Sequence, residues 1–280
     1  MIVTRTLLAV PSLLCITAGA VLAQNPPLPT SQPALLTIFR EQVKVGRAAE
    51  HERIEAGWPA AFARARSPNY YLAATSLTGP SEAWFIAPFA SNAAYGEELK
   101  LESTDTVLAA ELARLSRADA EVVNDLRIIQ ARARPDLSHG AFPDLTKVRF
   151  WEITTFRVRP GHTAGFEAAA KAYGAATDRA ATGASYRVYE VMAGMLEPTF
   201  LVFASVESYA QFDDMMAAGA KTMQAFTPDE QVTLQKFFTD GLINSETNRF
   251  ALNPTMSYVA AETRATDAAF WMPKRPARRP

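Results

Sequence analysis

Phe150-Trp151-Glu152-Ile153-Thr154-Thr155-Phe156-Arg157-Val158-Arg159-Pro160-Gly161 is a run of β-branched and aromatic residues that stops at a Pro-Gly turn. Such residues fit a pleated strand. Alternation places Trp151 and Ile153 on one face and Phe150, Phe156 and Val158 on the other, so both faces are apolar. A strand of that kind sits in a sheet covered twice, with helices on one side and another sheet on the other.

Outward from this stretch, the same succession of segments occurs twice, which sets the architecture before any motif is considered. Glu41 to Gly46 lines up with Thr154 to Gly161, each an extended run ending at a glycine, with Phe39 in the place of Glu152. A helical segment follows both. Asn69 to Thr75 then faces Ser185 to Val191, and Ala83 to Ala87 faces Phe200 to Ala204, all strand-like. Ser91 to Tyr95 faces Ser208 to Phe212 at the start of further helices. Ser116 and Thr227 read as N-caps followed by acidic residues that oppose the helix dipole, with Pro228 at the first helical position of the second copy. The spacing of Val107, Leu108, Leu112, Leu115, Val122, Val123, Leu126 and Ile129 predicts helical cover. Two units follow, over residues 33–140 and 147–255, each read as strand, helix, strand, strand, helix, helix.

The segment from Phe150 to His162, followed by Phe166, resembles the opening of NIPSNAP-like domains, members of the dimeric α+β barrel superfamily, and the run from Phe200 through Ser208 to Phe212 resembles that superfamily too. The resemblance implies an α+β chain of two tandem ferredoxin-like units whose antiparallel sheets pack into an α+β barrel. Through the related antibiotic-biosynthesis monooxygenase-like barrels, it also allows a cofactor-independent monooxygenase-like activity.

Residues 1–23 read as a cleaved signal peptide, with Arg5 as the positive region, an apolar stretch from Leu7 to Val21, and small residues before Gln24. A Pro-rich spacer covers 24–32. This predicts a periplasmic or secreted protein without stable membrane insertion after cleavage. Cys15, the only cysteine, leaves with the signal, which removes disulfides, thiol nucleophiles and thiolate metal sites. Loss of Arg5 takes the formal net charge from -1 to about -2, giving no support for a nucleic-acid partner. Residues 256–280 read as a C-terminal strand and a basic, Pro-rich tail. In solution the chain is expected as a monomer with a pseudo-dimeric barrel or as a homodimer.

The chemistry-bearing residues are few. His51, His139 and His162 are the only histidines. None is at metal-ligand spacing from another, so no metal ligand and no cofactor is assigned. His51, among Glu50, Glu52 and Glu55, reads as part of a solvated helix face. His162 reads as a cap or an exposed turn residue, and His139 as a loop residue. Glu152 is the catalytic candidate: a carboxylate among aromatics is either desolvated and available as a base, or paired with an arginine such as Arg149, Arg157 or Arg187. Glu190 carries the same two readings. Tyr71, Trp84, Trp151, Glu152 and Tyr189 form the expected ligand-binding set, an apolar pocket between the two sheets with hydroxyls for orientation. No Gly-rich phosphate loop, nucleophile elbow or zinc helix is present. The function expected is therefore binding of a small apolar or aromatic molecule, the alternatives being a monooxygenase-like enzyme and a self-assembly or interaction module.

Overall fold

The computed structural model describes residues 28–273; the expected signal peptide, most of the Pro-rich spacer and the end of the basic tail lie outside the described residues. Eight antiparallel strands close into one barrel. The first half contributes β1 (Leu35–Val43), β2 (Leu72–Ser76), β3 (Glu82–Phe89) and β4 (Val123–Ala133), the second β5 (Phe150–Val158), β6 (Arg187–Ala193), β7 (Thr199–Val206) and β8 (Leu242–Leu252). Around the barrel they run β1-β3-β2-β8-β5-β7-β6-β4. Within each half the order is that of a ferredoxin-like sheet. The halves join edge to edge, β2 on β8 (Ala74 opposite Leu252) and β4 on β6 (Ala131 opposite Val191).

The duplication is visible in backbone irregularities. A bulge between β1 and β4 falls at Val43, and one between β5 and β8 falls at Val158. Three residues beyond each stands a glycine with positive φ, Gly46 at 83° and Gly161 at 85°, where a side chain would be strained. Counting back from those glycines, the counterpart of Glu152 is Thr37; Phe39, expected at that place, is the counterpart of Thr154.

Each strand sends at least two apolar residues inward: Leu36 and Ile38, Leu72 and Ala74, Trp84 and Ile86, Ile129 and Ala131, Trp151 and Ile153, Tyr189 and Val191, Leu201 and Phe203, Phe250 and Leu252. The inter-sheet space is thus a packed core, with Trp84 against Phe250 (5.2 Å between centroids) and Trp151 edge-on to Phe203 (6.1 Å). Burying each large side chain contributes roughly 1.5–3 kcal/mol. At one end Glu82, buried, accepts both arms of Arg40 (2.9 and 2.7 Å) and the Trp84 indole N–H (2.9 Å).

The outward face of the first half-sheet carries helices α1 (Ala48–Glu55), α2 (Gly57–Ala65), α3 (Asn92–Thr104) and α4 (Thr106–Asp119); α5 (Thr163–Ala180), α6 (Gln211–Gln224) and α7 (Pro228–Lys236) cover the second. A π-turn at Phe237–Gly241 leads from α7 into β8. Thr227 caps α7 in a reciprocal box with Glu230, Pro228 following, as its sequence indicates. Ser116 is not a cap. It lies inside α4, whose N-cap is Asp105, accepting from the Val107 and Leu108 amides at 3.0 Å. The helical pattern read through Val122, Val123, Leu126 and Ile129 is a correction as well, because those residues turn out of α4 and, from Val123, form β4. In place of a C-terminal strand, Tyr258 exchanges a single pair of backbone bonds with Tyr71, and two short helices, α8 (Ala261–Thr266) and α9 (Ala268–Trp271), follow.

Candidate functional site

α1 follows the Gly46 turn and lies across the outward face of β1. Its sequence Ala-Ala-Glu-His-Glu-Arg-Ile-Glu sends Glu50, Glu52 and Arg53 toward solvent, while His51 and Glu55, one turn apart, face the sheet and are 2% and 3% exposed. On β1, Glu41 is on the helix-facing side. Asp119, the last residue of α4, arrives from a third element.

These four buried side chains meet at one point. Their ligating atoms all lie within 4.8 Å of one another. His51 Nε2 is 2.8 Å from Glu41 Oε2 and 3.6 Å from Asp119 Oδ1. Glu55 Oε1, Asp119 Oδ1, the Trp58 indole N–H and the Tyr71 hydroxyl are buried without a hydrogen bond of normal geometry. Those are four of the seven such atoms among the described residues, gathered at one site, where a lost partner costs about 1–3 kcal/mol for each neutral group and more for a charge.

Three carboxylates cannot all stay ionised here without compensation, because two unit charges ~4 Å apart repel by about 4 kcal/mol even at an effective dielectric constant of about 20. Burial, then the Glu41 and Asp119 carboxylates, push Glu55 up to about 10, the Trp58 indole acting the other way. Asp119 is raised to about 6 by burial and by Glu41, with His51 opposing. Burial, followed by Glu55 and Glu41, holds the Tyr71 hydroxyl well above its ordinary value. The group is thus a buried acid store beside one imidazole.

A cavity of about 570 Å³ opens on Glu41, Glu55 and Asp119 of this group, between the first half-sheet and its helices, with His51 behind them. Its walls are aromatic, with Phe39, Trp58, Phe62, Tyr71 and Phe85; Tyr95, Glu98, Leu99 and Glu102 of α3 stand at the other side. Glu98 accepts hydrogen bonds from Ser67 Oγ (2.9 Å) and Asn69 Nδ2. Burial, helped by Glu98, raises Glu102 to about 7.

The second unit supplies an internal control. Five residues before its glycine stands Phe156, where the first unit has Glu41; five after it is Phe166, the counterpart of His51; nine after it is Ala170, the counterpart of Glu55. Phe237, in the π-turn entering β8 as Asp119 precedes β4, completes the set. These four pack as one apolar cluster, Phe166 lying 5.7 Å from Phe156 and 5.5 Å from Phe237. The fold therefore needs no polar residue at these places. A second cavity of about 700 Å³ lies over the sheet of this unit, lined by Phe156, Phe166, Tyr173, Tyr186, Met215 and Phe238 among others.

The expected ligand set is dispersed. Trp84, Trp151 and Tyr189 are inside the barrel, part of its filling. Tyr71 lines the first cavity. Glu152 lines the second, where the register of β5 on β8 sets it opposite Arg249, whose Nε donates to it at 2.9 Å. That guanidinium also sits 4.0 Å over the Phe212 ring. Glu152 is thus ion-paired, with Arg249 in place of the three arginines expected: Arg149 pairs with Asp267, and Arg187 donates to the His139 and Gly140 carbonyls. Glu190 is paired as well, with Arg132 at 2.8 Å and Arg134 at 3.0 Å.

His51 is the main correction. It is buried because the solvated residues of α1 are its neighbours in sequence, whereas its helix face looks at β1. Its position relative to Gly46, matching that of the core residue Phe166, is the signal that finds it. His162 occupies the N-cap position of α5 without a side-chain capping bond, and His139 stacks on Tyr186 at 5.7 Å.

No family model and no curated protein matches the chain. Solved structures do. A candidate monooxygenase from Fusobacterium nucleatum is 9% identical with a TM-score of 0.54, over 79% of this chain and 92% of that one. An anthrone oxidase-like protein is 10% identical at 0.50, over 81% and 94%. A mutant chlorite dismutase from Candidatus Nitrospira defluvii is 11% identical at 0.49, over 80% and 94%. At such identities the likeness of the first two supports the fold alone, a closed α+β barrel, and the site has to carry the function.

Proposed function

We propose that the protein takes up a small, mainly apolar molecule of aromatic-ring size in the cavity under α1 to α4, with the polar end of that molecule at Glu41, His51, Glu55 and Asp119. The observation that carries this reading is the contrast between the units. Where the second has an apolar cluster, the first has a buried acid–histidine group closing an aromatic cavity, and such a group costs stability unless a ligand uses it. The volume lies in the ordinary range of about 300–1,000 Å³ for small-molecule sites. This moves the binding site expected between the two sheets to the outer face of one of them.

A second reading, conversion of the bound molecule, is favoured by the clustering of titratable groups at the cavity's end. Oxidation of an anthrone-like aromatic compound is its concrete form, a monooxygenase and an anthrone oxidase-like protein being named among the fold neighbours. A closer kinship to NIPSNAP-like domains, export to the periplasm or beyond, and a monomer whose halves complete each other's barrel belong to the same reading.

Trp58 lines the cavity and reports on it. Titration with 1-naphthol and anthrone, followed by tryptophan fluorescence and thermal shift, is expected to saturate. Ala87→Trp, which fills the first cavity, abolishes binding, and Ala170→Trp, in the second, preserves it. Binding lost only in the second variant, or no binding by any hydroxyaromatic probe, refutes the assignment.

A further inference from the structure

We infer that Glu41, His51, Glu55 and Asp119 bind a divalent first-row metal ion, with one imidazole nitrogen and carboxylate oxygens as donors. The inference deepens the reading of this cavity as the working site, since the ion would sit where the polar end of the bound molecule arrives.

Geometry carries it. The four donor atoms come from three different elements, β1, α1 and α4, yet converge within 4.8 Å. An ion with ligands at about 2.1 Å asks for donors roughly 3.4 Å apart in a tetrahedral site, which the His51–Glu41 and His51–Asp119 separations of 2.8 and 3.6 Å straddle. Glu55 is 3% exposed; its carboxylate belongs to the group within 4.8 Å, and its Oε1 has no hydrogen bond of normal geometry. Asp119 Oδ1 lacks one as well. A buried carboxylate oxygen without a donor is what a cation satisfies. The second unit shows that the same fold fills these places with phenylalanine and alanine, so packing does not account for the acids.

The donor set indicates the ion. Mixed imidazole and carboxylate donors suit Zn²⁺, Mn²⁺ and Fe²⁺, whereas Mg²⁺ prefers oxygen alone and retains its waters. With no thiolate in the group, a soft Cu⁺ site is not indicated.

The test uses the full chain, stripped with chelator, dialysed, and titrated with ZnCl₂ and MnCl₂ by calorimetry, with MgCl₂ as the comparison. About one equivalent of Zn²⁺ or Mn²⁺ should bind, with Mg²⁺ far weaker. Outer-shell partners alone are worth about 10–100-fold in metal affinity, so removing a ligand in Glu55→Gln or Asp119→Asn should weaken Kd at least that much while circular dichroism stays that of the parent. The Mn²⁺ electron paramagnetic resonance spectrum gives a second readout, its bound signal disappearing in both variants. No saturable binding to the folded chain, or an affinity unchanged in Glu55→Gln and Asp119→Asn, overturns the inference. Ala87→Trp separates it from the ligand reading: metal binding that survives there while 1-naphthol binding is lost upholds both, and 1-naphthol binding without any metal binding overturns this inference alone.

Discussion

Replacing Glu55 by glutamine should make the metal-free protein more stable, and the gain should grow with pH. In the folded chain Glu55 is held up at about 10 by burial and by the Glu41 and Asp119 carboxylates, against an ordinary value of 4.5. The folded state therefore keeps a proton that the unfolded chain has released. Between those two values the unfolded chain binds fewer protons, so stability declines as pH rises, and the part Glu55 contributes is whole only below about 4.5. Each pH unit in that window costs ~1.4 kcal/mol, so by pH 7 the loss approaches ~3 kcal/mol. Asp119, raised to about 6, adds a decline in the same direction at lower pH. Glutamine keeps the shape and does not titrate, which removes the Glu55 share. The assay is urea unfolding of chelator-treated wild type and Glu55→Gln at pH 5, 6, 7 and 8. The two should lie within about 1 kcal/mol of each other at pH 5 and diverge by ~1.4 kcal/mol per unit above it. Parallel stability curves, or a wild type that gains on the variant as pH rises, would show that Glu55 is ionised in the fold and refute the reasoning.

Further expectations follow from the packing. Trp151→Ala opens a hole inside the barrel and should cost about 3–5 kcal/mol in denaturant unfolding, while leaving 1-naphthol binding in the first cavity intact in the fraction that folds. Thr227→Ala removes the α7 capping box and should cost about 1 kcal/mol; a neutral result would mean that α7 is held by its packing on α5 alone. Arg249→Ala leaves Glu152 without its ion pair. Both side chains retain about a quarter of their exposure, so the pair itself accounts for no more than about 1 kcal/mol, with a further loss from the Phe212 stack; a much larger effect, measured by thermal unfolding, would assign Glu152 a role beyond this pair.

The barrel was legible where residue chemistry is local. β5 declares itself by being apolar on both faces, and α7 by Thr227, Pro228 and Glu230 in sequence. β4 was not legible, because Val122, Val123, Leu126 and Ile129 continue the three-and-four spacing of α4, and only the sheet partner makes them a strand. Trp84 and Tyr71 read alike as strand aromatics; which of them faces the barrel interior depends on how the ring of strands closes. Arg249 as the partner of Glu152 depends on the β5–β8 register, which no local pattern encodes. His51 and Glu55 were visible as residues and invisible as a site, because their neighbours Glu50 and Glu52 give the helix a charged look from outside. The duplication held the missing clue, since the matching places in the other copy are plainly core.

A barrel assembled from two separate, identical chains has a two-fold axis, and whatever one chain acquires appears twice. Joining the halves, with β2 on β8 and β4 on β6 closing the ring within one polypeptide, releases each copy from that obligation. A destabilising cluster can then be installed once, while the sister copy keeps phenylalanine and lends its stability to the whole ring. The asymmetry between Glu41–His51–Glu55–Asp119 and Phe156–Phe166–Ala170–Phe237 is a division of labour that a symmetric dimer cannot reach.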